Sequence, residues 1–208
     1  FKKRLHAMIE EFRPDVMVIP CNLEEFQEVA ISMNQYVPVI YESHSTFVDI
    51  MDEKASWIHR SWQRIRHRCV KKCDFVIALT EGDASCWRRY VNRVCVLPNP
   101  LSSYILHPVV QDNTRIICAG RLTQTKRFDR VIDAFSMIAD KYPEWIVDIF
   151  GEGDLHDQLQ KQIAERHLTG RVNIKPPTRD IYAEYQNSSC FVLGSDYESF
   201  GLVLVEAM

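Results

Sequence analysis

Short apolar runs, separated by longer segments with helical periodicity, dominate the chain. The runs lie at residues 16–19, 37–41, 75–78, 94–97, 116–119, 146–150, 172–174 and 190–193, and we predict a β-strand at each. Most of them are too uniformly apolar to have one solvated face, which is typical of parallel strands covered on both sides. The pattern therefore predicts an α/β protein in which parallel sheets are flanked by helices.

The alternation of strands and helices stops once, between residues 98 and 114. This stretch contains Pro98, Pro100 and Pro108 and has no regular spacing of apolar residues. Such a stretch is typical of a linker between domains. We therefore predict two Rossmann-like domains, at residues 1–97 and 115–208, joined by the linker at 98–114.

Capping residues indicate where several helices begin. Asn22 stands three residues before Glu25, and Thr80 stands three residues before Asp83, which is the spacing of a capping box or a looser version of it. Further helices are predicted from about 127 to 141, from 154 onward and from near 201.

Composition narrows the class of protein without identifying a partner. The chain is 46% hydrophobic and 25% charged, which excludes disordered and fibrous classes. Its net charge of −3 gives no reason to expect nucleic acid binding. No apolar run approaches the roughly 20 residues needed to cross a bilayer, so we expect a cytoplasmic protein. Seven cysteines without a second metal-spaced pair predict neither a disulfide framework nor a metal site.

The first candidate for chemistry follows the strand at 116–119. Gly120 ends this strand, and Arg121 and Lys126 come before the next helix. Cations at the carboxyl end of a parallel strand are well placed to bind a diphosphate, with Arg as a fork and Lys as a point charge. The alternative is a pair of solvated cations on a loop.

Gly151 and Gly153 form a second candidate after the strand at 146–150. Glycine permits a positive φ or the close approach of a ligand. A plain turn into the following helix explains the two glycines equally well.

The third candidate is the segment 197–208, where seven residues separate Glu198 from Glu206. If a helix starts near Gly201, the amides of Gly201, Leu202 and Val203 form an anion site, Glu198 lies in the preceding loop and Glu206 lies within the helix. The alternative is a loop carboxylate and a surface carboxylate that have no common function.

These elements, in this order, resemble a known family. Gly120-Arg121-Leu122 with Lys126, Gly151-Glu152-Gly153, and the segment from Ser195 to Met208 are similar to the C-terminal domain of the family-4 retaining glycosyltransferases (glycosyl transferases group 1) of the GT-B fold. Runs near 15–18, 39–44, 73–80 and 96–100 resemble strands of the acceptor domain of that family more loosely.

The resemblance implies a role for each matching residue. Arg121 and Lys126 would hold the diphosphate of a nucleotide sugar, Glu206 the ribose, and Glu198 would face the sugar. Gly120 would lie beside the donor, and the amides after Phe200 (Gly201, Leu202, Val203) would orient sugar and phosphate. His44, after a strand of the first domain, would contact sugar or acceptor, or else is a structural histidine. The resemblance implies no metal and no cofactor beyond the donor.

The implied reaction is the transfer of a sugar, with retention of configuration, to a glycan or lipid-linked acceptor, as in polysaccharide biosynthesis. Retention allows either a double displacement or a same-face substitution. Two alternatives remain: a sugar-nucleotide epimerase of the same architecture, and a non-catalytic nucleotide-binding fragment.

Three departures from the family pattern affect these expectations. Arg127 stands where the family often has glycine, directly after the diphosphate lysine. The first strand and the glycine-rich loop of the family would lie before Phe1, and a further strand and helix would follow Met208. We therefore expect a chain cut at both ends that has little or no turnover by itself.

Residues 54–73 contain seven Lys or Arg and no acid, with apolar residues at helical spacing. This amphipathic segment either rests on an anionic membrane surface, which would suit a lipid-linked acceptor, or packs on the sheet with its cations in water.

Overall fold

The structure is a computed structural model that describes residues 1–20, 30–44, 46–47, 64–65, 67–101 and 113–208. The chain forms two compact units, Phe1–Pro100 and Leu101–Met208. Most of the predicted linker at 98–114, most of the basic segment at 54–73 and the predicted cap at Asn22 lie outside the described residues. Those expectations, and the predicted domain bounds, stay predictions.

The first unit is built on a four-stranded parallel sheet. Its described elements are α1 (Lys2–Phe12), β1 (Met17–Pro20), a 3-10 turn (Ser32–Gln35), β2 (Val39–Ser43), β3 (Phe75–Ala78), α2 (Glu81–Trp87) and β4 (Val94–Val96). The strand order is β1-β2-β3-β4, and every neighbouring pair is parallel. The core of this unit includes Val39, Tyr41, Val76 and Trp87, all completely buried.

Helix α2 begins where the sequence predicts. The Thr80 hydroxyl accepts a hydrogen bond from the backbone N–H of Asp83 at 3.2 Å, so Thr80 is the N-cap. The Asp83 carboxylate accepts one from the backbone N–H of Phe47 at 2.8 Å, which ties the helix start to the segment after β2.

A cluster of aromatic rings packs around Trp87 of α2. His67 contacts Trp87 and Tyr90, and Phe47 contacts the same three rings. His67 is only 7% exposed, and neither of its ring nitrogens has a hydrogen-bond partner among the described residues. Burial and the positive charge of Lys71 lower the pKa of His67, so the ring is packed in its neutral form.

The second unit contains the other parallel sheet. Its elements are β5 (Arg115–Ala119), a 3-10 turn (Gln124–Lys126), α3 (Phe128–Ser136), β6 (Ile146–Phe150), α4 (His156–Glu165), β7 (Val172–Lys175), α5 (Ile181–Gln186), β8 (Cys190–Phe191) and α6 (Leu202–Glu206). The strand order is β7-β6-β5-β8. The α/β class with two parallel sheets is therefore confirmed, and all eight predicted strands are present.

Side chains alternate across this sheet, and its two faces differ. Cys118, Val147 and Ile149 face α3 and α4, where Phe128, Val131, Ile132 and Phe135 cover them at the spacing of one helix face. Ile117, Ala119 and Phe150 face the other side, where Tyr185 of α5 packs on them.

Several predicted bounds are wrong. Strand β2 lies at Val39–Ser43 rather than at 37–41, and helix α4 begins at His156 rather than at 154. Helix α3 ends at Ser136 rather than near 141, because the Ser136 hydroxyl donates to the Asp133 carbonyl at 2.6 Å and the chain continues in turns. Strand β8 ends at Phe191 rather than at 193. Val192 still donates to Ile117 at 2.9 Å, and the chain then leaves the sheet.

A charged cluster lies on the α5 side of the sheet. The carboxylate of Asp148 is 1% exposed and accepts from Arg115 at 2.6 Å, Lys175 at 2.8 Å and Asn173 at 3.0 Å. Arg115 also pairs with Glu184 of α5 at 2.6 Å. Burial by itself would raise the pKa of Asp148, but these three donors outweigh it and hold the pKa below its ordinary value.

Within the described ranges, no helix is both long enough and apolar enough to cross a membrane. Of the basic segment, only 64–65 and 67–73 are described, and 64–65 and 67–70 are helical.

Candidate functional site

The loops after four parallel strands meet at one edge of the second sheet, because parallel strands end on the same side. A cavity of about 330 Å³ lies there. Its apolar wall includes Ala119, Phe150, Ile181 and Tyr185, and its polar wall includes Arg121, Glu152, Thr178 and Glu206.

The two glycine turns at this edge pack on each other. The backbone N–H of Leu122 donates to the Glu152 carbonyl at 2.8 Å, and that of Gly120 donates to Phe150 at 3.0 Å. A Cβ at Gly151 would lie 1.9 Å from the Gly120 carbonyl oxygen, and one at Gly153 would lie 2.6 Å from that of Leu122. Close contact between the two loops therefore explains both glycines of the 151–153 turn without a ligand.

Lys126 and Glu198, two of the predicted site residues, form an ion pair across 72 positions of sequence. The ammonium Nζ lies 2.7 Å from Oε1 and 2.8 Å from Oε2 of Glu198, and each side chain is 23% exposed. The Ser195 hydroxyl donates to Oε1 of the same carboxylate at 2.7 Å. The aliphatic stem of Lys126 passes beside Gly120, where a Cβ would lie 3.8 Å from it. The fold thus brings a cation, a carboxylate and a glycine turn into one place.

Arg127 has the backbone conformation that its sequence position suggests for glycine. Its φ and ψ are 49° and 44°, in the left-handed region. Its guanidinium pairs with Asp129 at 2.7 Å and with Asp196 at 3.5 Å. Arg127 therefore fits the turn that the family pattern assigns to glycine, and its side chain reaches the loop that carries Glu198.

A second set of contacts fastens this loop to the loop after β5. The backbone N–H of Asp196 donates to the Thr125 carbonyl at 3.0 Å, and Arg130 pairs with the Asp196 carboxylate at 2.7 Å. Gly194 lies so close that a Cβ there would be 2.7 Å from the Arg127 carbonyl oxygen. The two loops are thus joined by backbone contacts as well as by ion pairs.

Arg121 lies at the mouth of the cavity. Its side chain is exposed and lines the cavity, and it has no ion-pair partner in the described part of the chain. A guanidinium in this position is available to an anion that enters the cavity.

The segment after Phe200 forms the far wall. Gly201 precedes α6 with φ 72° and ψ 46°, a conformation that favours glycine. Val203 and Glu206 line the cavity, and Phe200 and Leu202 are half-buried. Glu206 and Tyr185 line the same cavity, and burial together with the charge of Glu206 raises the pKa of the Tyr185 hydroxyl.

His44 belongs to the first unit. It directly follows β2, is exposed, and its Nε2 lies 3.2 Å from the Glu42 carboxylate. The other predicted site residues all belong to the second unit.

Several residues of this edge were given no individual role in the sequence analysis, although Ser195 and Asp196 lie in the segment that resembles the family. Thr178, Ile181 and Tyr185 line the cavity, and Ser195 and Asp196 hold the Glu198 loop. For the residues after β7, the signal in the sequence was that residues 176–178 follow a predicted strand. This signal was insufficient, because nothing in the sequence shows that this strand lies two places from β5 in the sheet.

Metal binding has no support within the described ranges. There, no group of three or more His, Cys, Asp or Glu side chains could hold a metal ion. The expectation of a metal-free site stays a prediction.

Comparison with known proteins gives a family match for nearly half of the chain. Residues 107–208 match the model of the family Glycosyl transferases group 1. An uncharacterized glycosyltransferase from Haemophilus influenzae is 29% identical over 99% of this chain and 58% of its own length. The chain thus spans little more than half of this curated relative.

Solved structures show the same fold. HepE from Anabaena, in complex with UDP, has a TM-score of 0.79 at 19% identity and covers 99% of this chain and 60% of its own. A TarM mutant from S. aureus, in complex with Fondaparinux, alpha-GlcNAc-glycerol and UDP, has a TM-score of 0.78 at 19% identity and covers 97% of this chain and 41% of its own. The family match at residues 107–208 and the fold of these two structures thus agree with the resemblance found in the sequence.

Proposed function

We propose, from the family match at 107–208 and the geometry of the second sheet edge, that this protein is a glycosyltransferase using a nucleoside diphosphate sugar. The observation that carries the proposal is the placement of Arg121 and Glu206 in the wall of one cavity at the carboxyl ends of parallel strands, with the stem of Lys126 beside the cavity-lining Gly120. Open α/β sheets bind their ligands at this edge.

The cavity suits the nucleoside part of such a donor. Its volume of about 330 Å³ is at the low end of the range for ligand pockets. One wall is apolar and the other is polar, which matches a flat base with an attached ribose. Glu206 accepts hydrogen bonds from ribose hydroxyls in this proposal, and Phe150 and Tyr185 lie on the apolar side. UDP is the first nucleotide to test, because the HepE and TarM complexes contain it.

The diphosphate lies between Arg121 and Lys126 in the proposed complex. Breaking the bond between sugar and phosphate leaves negative charge on the departing diphosphate. A guanidinium and an ammonium already in place stabilise that charge more than they stabilise the bound donor. The amides of Gly201, Leu202 and Val203 add donors beside it, although α6 has only five residues and a correspondingly small dipole.

Glu198 faces the sugar in this proposal, and we propose retention of configuration. A double displacement would need its carboxylate as a nucleophile, whereas a same-face substitution would need it only to stabilise positive charge at the reacting carbon. The proposed acceptor is a glycan or a lipid-linked glycan. His44 contacts the sugar or this acceptor in the proposal. The cations of residues 54–73 are proposed to contact an anionic membrane surface.

Titration calorimetry with UDP, GDP, ADP and inorganic pyrophosphate tests the nucleotide site. We expect micromolar to millimolar binding of at least one nucleoside diphosphate and a loss of about tenfold or more in Lys126→Gln, because one charge-assisted contact to phosphate is removed. The matched control is Lys161→Gln on α4, a solvated lysine that pairs with Glu165, and this variant should bind like the unchanged chain. Absence of binding to the whole panel by the folded chain would contradict the proposal.

A further inference from the structure

Lys126 already has a carboxylate partner, and this contact bears on how a diphosphate binds. Both oxygens of Glu198 lie within 2.8 Å of the ammonium, so two of the three N–H donors of Lys126 point to one acceptor group. The pair is three-quarters buried, where charge interactions are stronger than at a fully solvated surface.

A diphosphate and this carboxylate compete for the same ammonium. A phosphate oxygen that takes two donors from Lys126 displaces Glu198, and an anion that takes only the third donor lies close to a like charge. The diphosphate carries more negative charge than one carboxylate and is also met by Arg121. The anion is therefore the stronger partner, but its affinity is reduced by the free energy of breaking the Lys126–Glu198 pair.

The loops themselves do not depend on this pair. Asp196 is joined to Arg127 and Arg130 through its carboxylate and to Thr125 through its backbone. Gly194 packs against the Arg127 carbonyl. The two side chains can therefore separate while their backbones keep their positions.

We propose, resting on the proposed function above, that Glu198 is a built-in competitor of the diphosphate, so that donor binding and release of the Glu198 carboxylate are coupled through Lys126. The released carboxylate keeps its hydrogen bond from the Ser195 hydroxyl. Glu198 therefore becomes available to the sugar only after a diphosphate has replaced the Glu198 carboxylate at Lys126.

The test is a double-mutant cycle on diphosphate affinity in the 208-residue chain, with UDP and inorganic pyrophosphate as probes. Glu198→Gln removes the competing charge and keeps the shape, so we expect about threefold to tenfold tighter binding. In a Lys126→Gln background the same change should alter affinity by less than about twofold, because the shared ammonium is gone. Glu198→Asp, which draws the carboxylate back by one methylene, should give a smaller gain in the same direction.

Glu165→Gln is the matched control, since Glu165 also pairs with a lysine, Lys161, and does not line the cavity. It should change affinity by less than about twofold. A gain as large in Glu165→Gln, or a gain from Glu198→Gln that persists in the Lys126→Gln background, overturns the inference and indicates general charge repulsion. Unchanged or weaker binding in both Glu198→Gln and Glu198→Asp also overturns it, while the proposed function stands. If the folded chain binds neither probe nor any other nucleoside diphosphate, the proposed function itself fails, and the inference fails with it.

Discussion

At the scale of single residues, Arg127 combines an unfavourable backbone with favourable charge contacts. Non-glycine residues lose roughly 1–2 kcal/mol in the left-handed region. Its guanidinium donates to both oxygens of Asp129, and this carboxylate holds the pKa of Arg127 above its ordinary value. The ion pairs are partly exposed, and such pairs contribute little to stability. The side chain therefore offsets only part of the backbone cost.

This balance predicts an unusual order of stability for two variants. Arg127→Gly and Arg127→Ala both lose the ion pairs, but glycine also removes the backbone strain, so Arg127→Gly should be more stable than Arg127→Ala by about 1 kcal/mol. Urea unfolding measures the difference.

Arg130 gives the matched control for that order. It lies in α3 with helical neighbours, where glycine costs about 1 kcal/mol relative to alanine. Arg130→Gly should therefore be less stable than Arg130→Ala. If the same order appears at Arg127, the left-handed strain is not present in the protein.

At the scale of elements, the Asp148 cluster joins three strands to α5. Arg115 begins β5, Asp148 lies in the middle of β6, and Lys175 ends β7. Arg115 extends the cluster to Glu184 of α5, and it also lies over the ring of Phe150. Three donors compensate the buried charge of this carboxylate. When the carboxylate is neutralised, these donors lose their charged acceptor, and the fold is destabilised.

Asp148→Asn should destabilise the second unit by about 2–3 kcal/mol, since it leaves the guanidinium of Arg115 without its most buried counter-charge. Because the folded pKa of Asp148 lies below its ordinary value of 3.8, its contribution is fully present above that value and is lost as the pH falls below it. Denaturant unfolding at pH 7 and pH 3 should show the difference from the unchanged chain shrinking at the lower pH. Asp140→Asn, an exposed position, is the control and should change stability by less than about 0.5 kcal/mol at both pH values.

At this scale, the sequence was sufficient to predict the strands from their periodicity, but it did not predict the charge partners of Asp148. Uniform apolar runs sufficed to find all eight strands, because burial on both faces of a parallel sheet leaves few polar positions. Nothing in the spacing of Asp148 distinguishes it from an exposed strand residue. Its burial becomes evident only when Asn173 and Lys175 of a neighbouring strand lie beside it.

At the scale of the whole molecule, the two units should respond to acid at different pH values. His67 belongs to the first unit and is packed neutral, with a pKa below its ordinary value of 6.5. A group whose folded pKa is lowered contributes stability above its unfolded pKa and loses it as the pH falls. The first unit should therefore lose stability between about pH 7 and pH 5, while the Asp148 cluster still holds the second unit.

Hydrogen exchange with mass spectrometry resolves this difference, because peptides of the two units are read separately. We expect amide protection in β2, β3 and α2 to fall between pH 7 and pH 5, after correction for intrinsic exchange, and protection in β5 and β6 to stay constant. His67→Phe keeps a ring among Phe47, Trp87 and Tyr90 and should abolish the fall in the first unit. The control is His156→Gln, at a half-exposed histidine of the second unit, and it should leave the fall in first-unit protection unchanged. If protection in the first unit falls equally in His67→Phe, His67 is excluded as the cause.

The sequence by itself determined the α/β class, the eight strands, the Thr80 cap and the candidate residues Gly120, Arg121, Lys126, Glu198 and Glu206. These are local or periodic features, and neighbouring residues along the chain are enough to produce them. Tertiary structure decided the strand order β7-β6-β5-β8, the contact of Gly151 with the Gly120 backbone, the Lys126–Glu198 pair and the burial of Asp148 and His67. Each of these joins residues far apart in sequence, and their distance in space depends on how strands are ordered and loops packed, which no local pattern encodes.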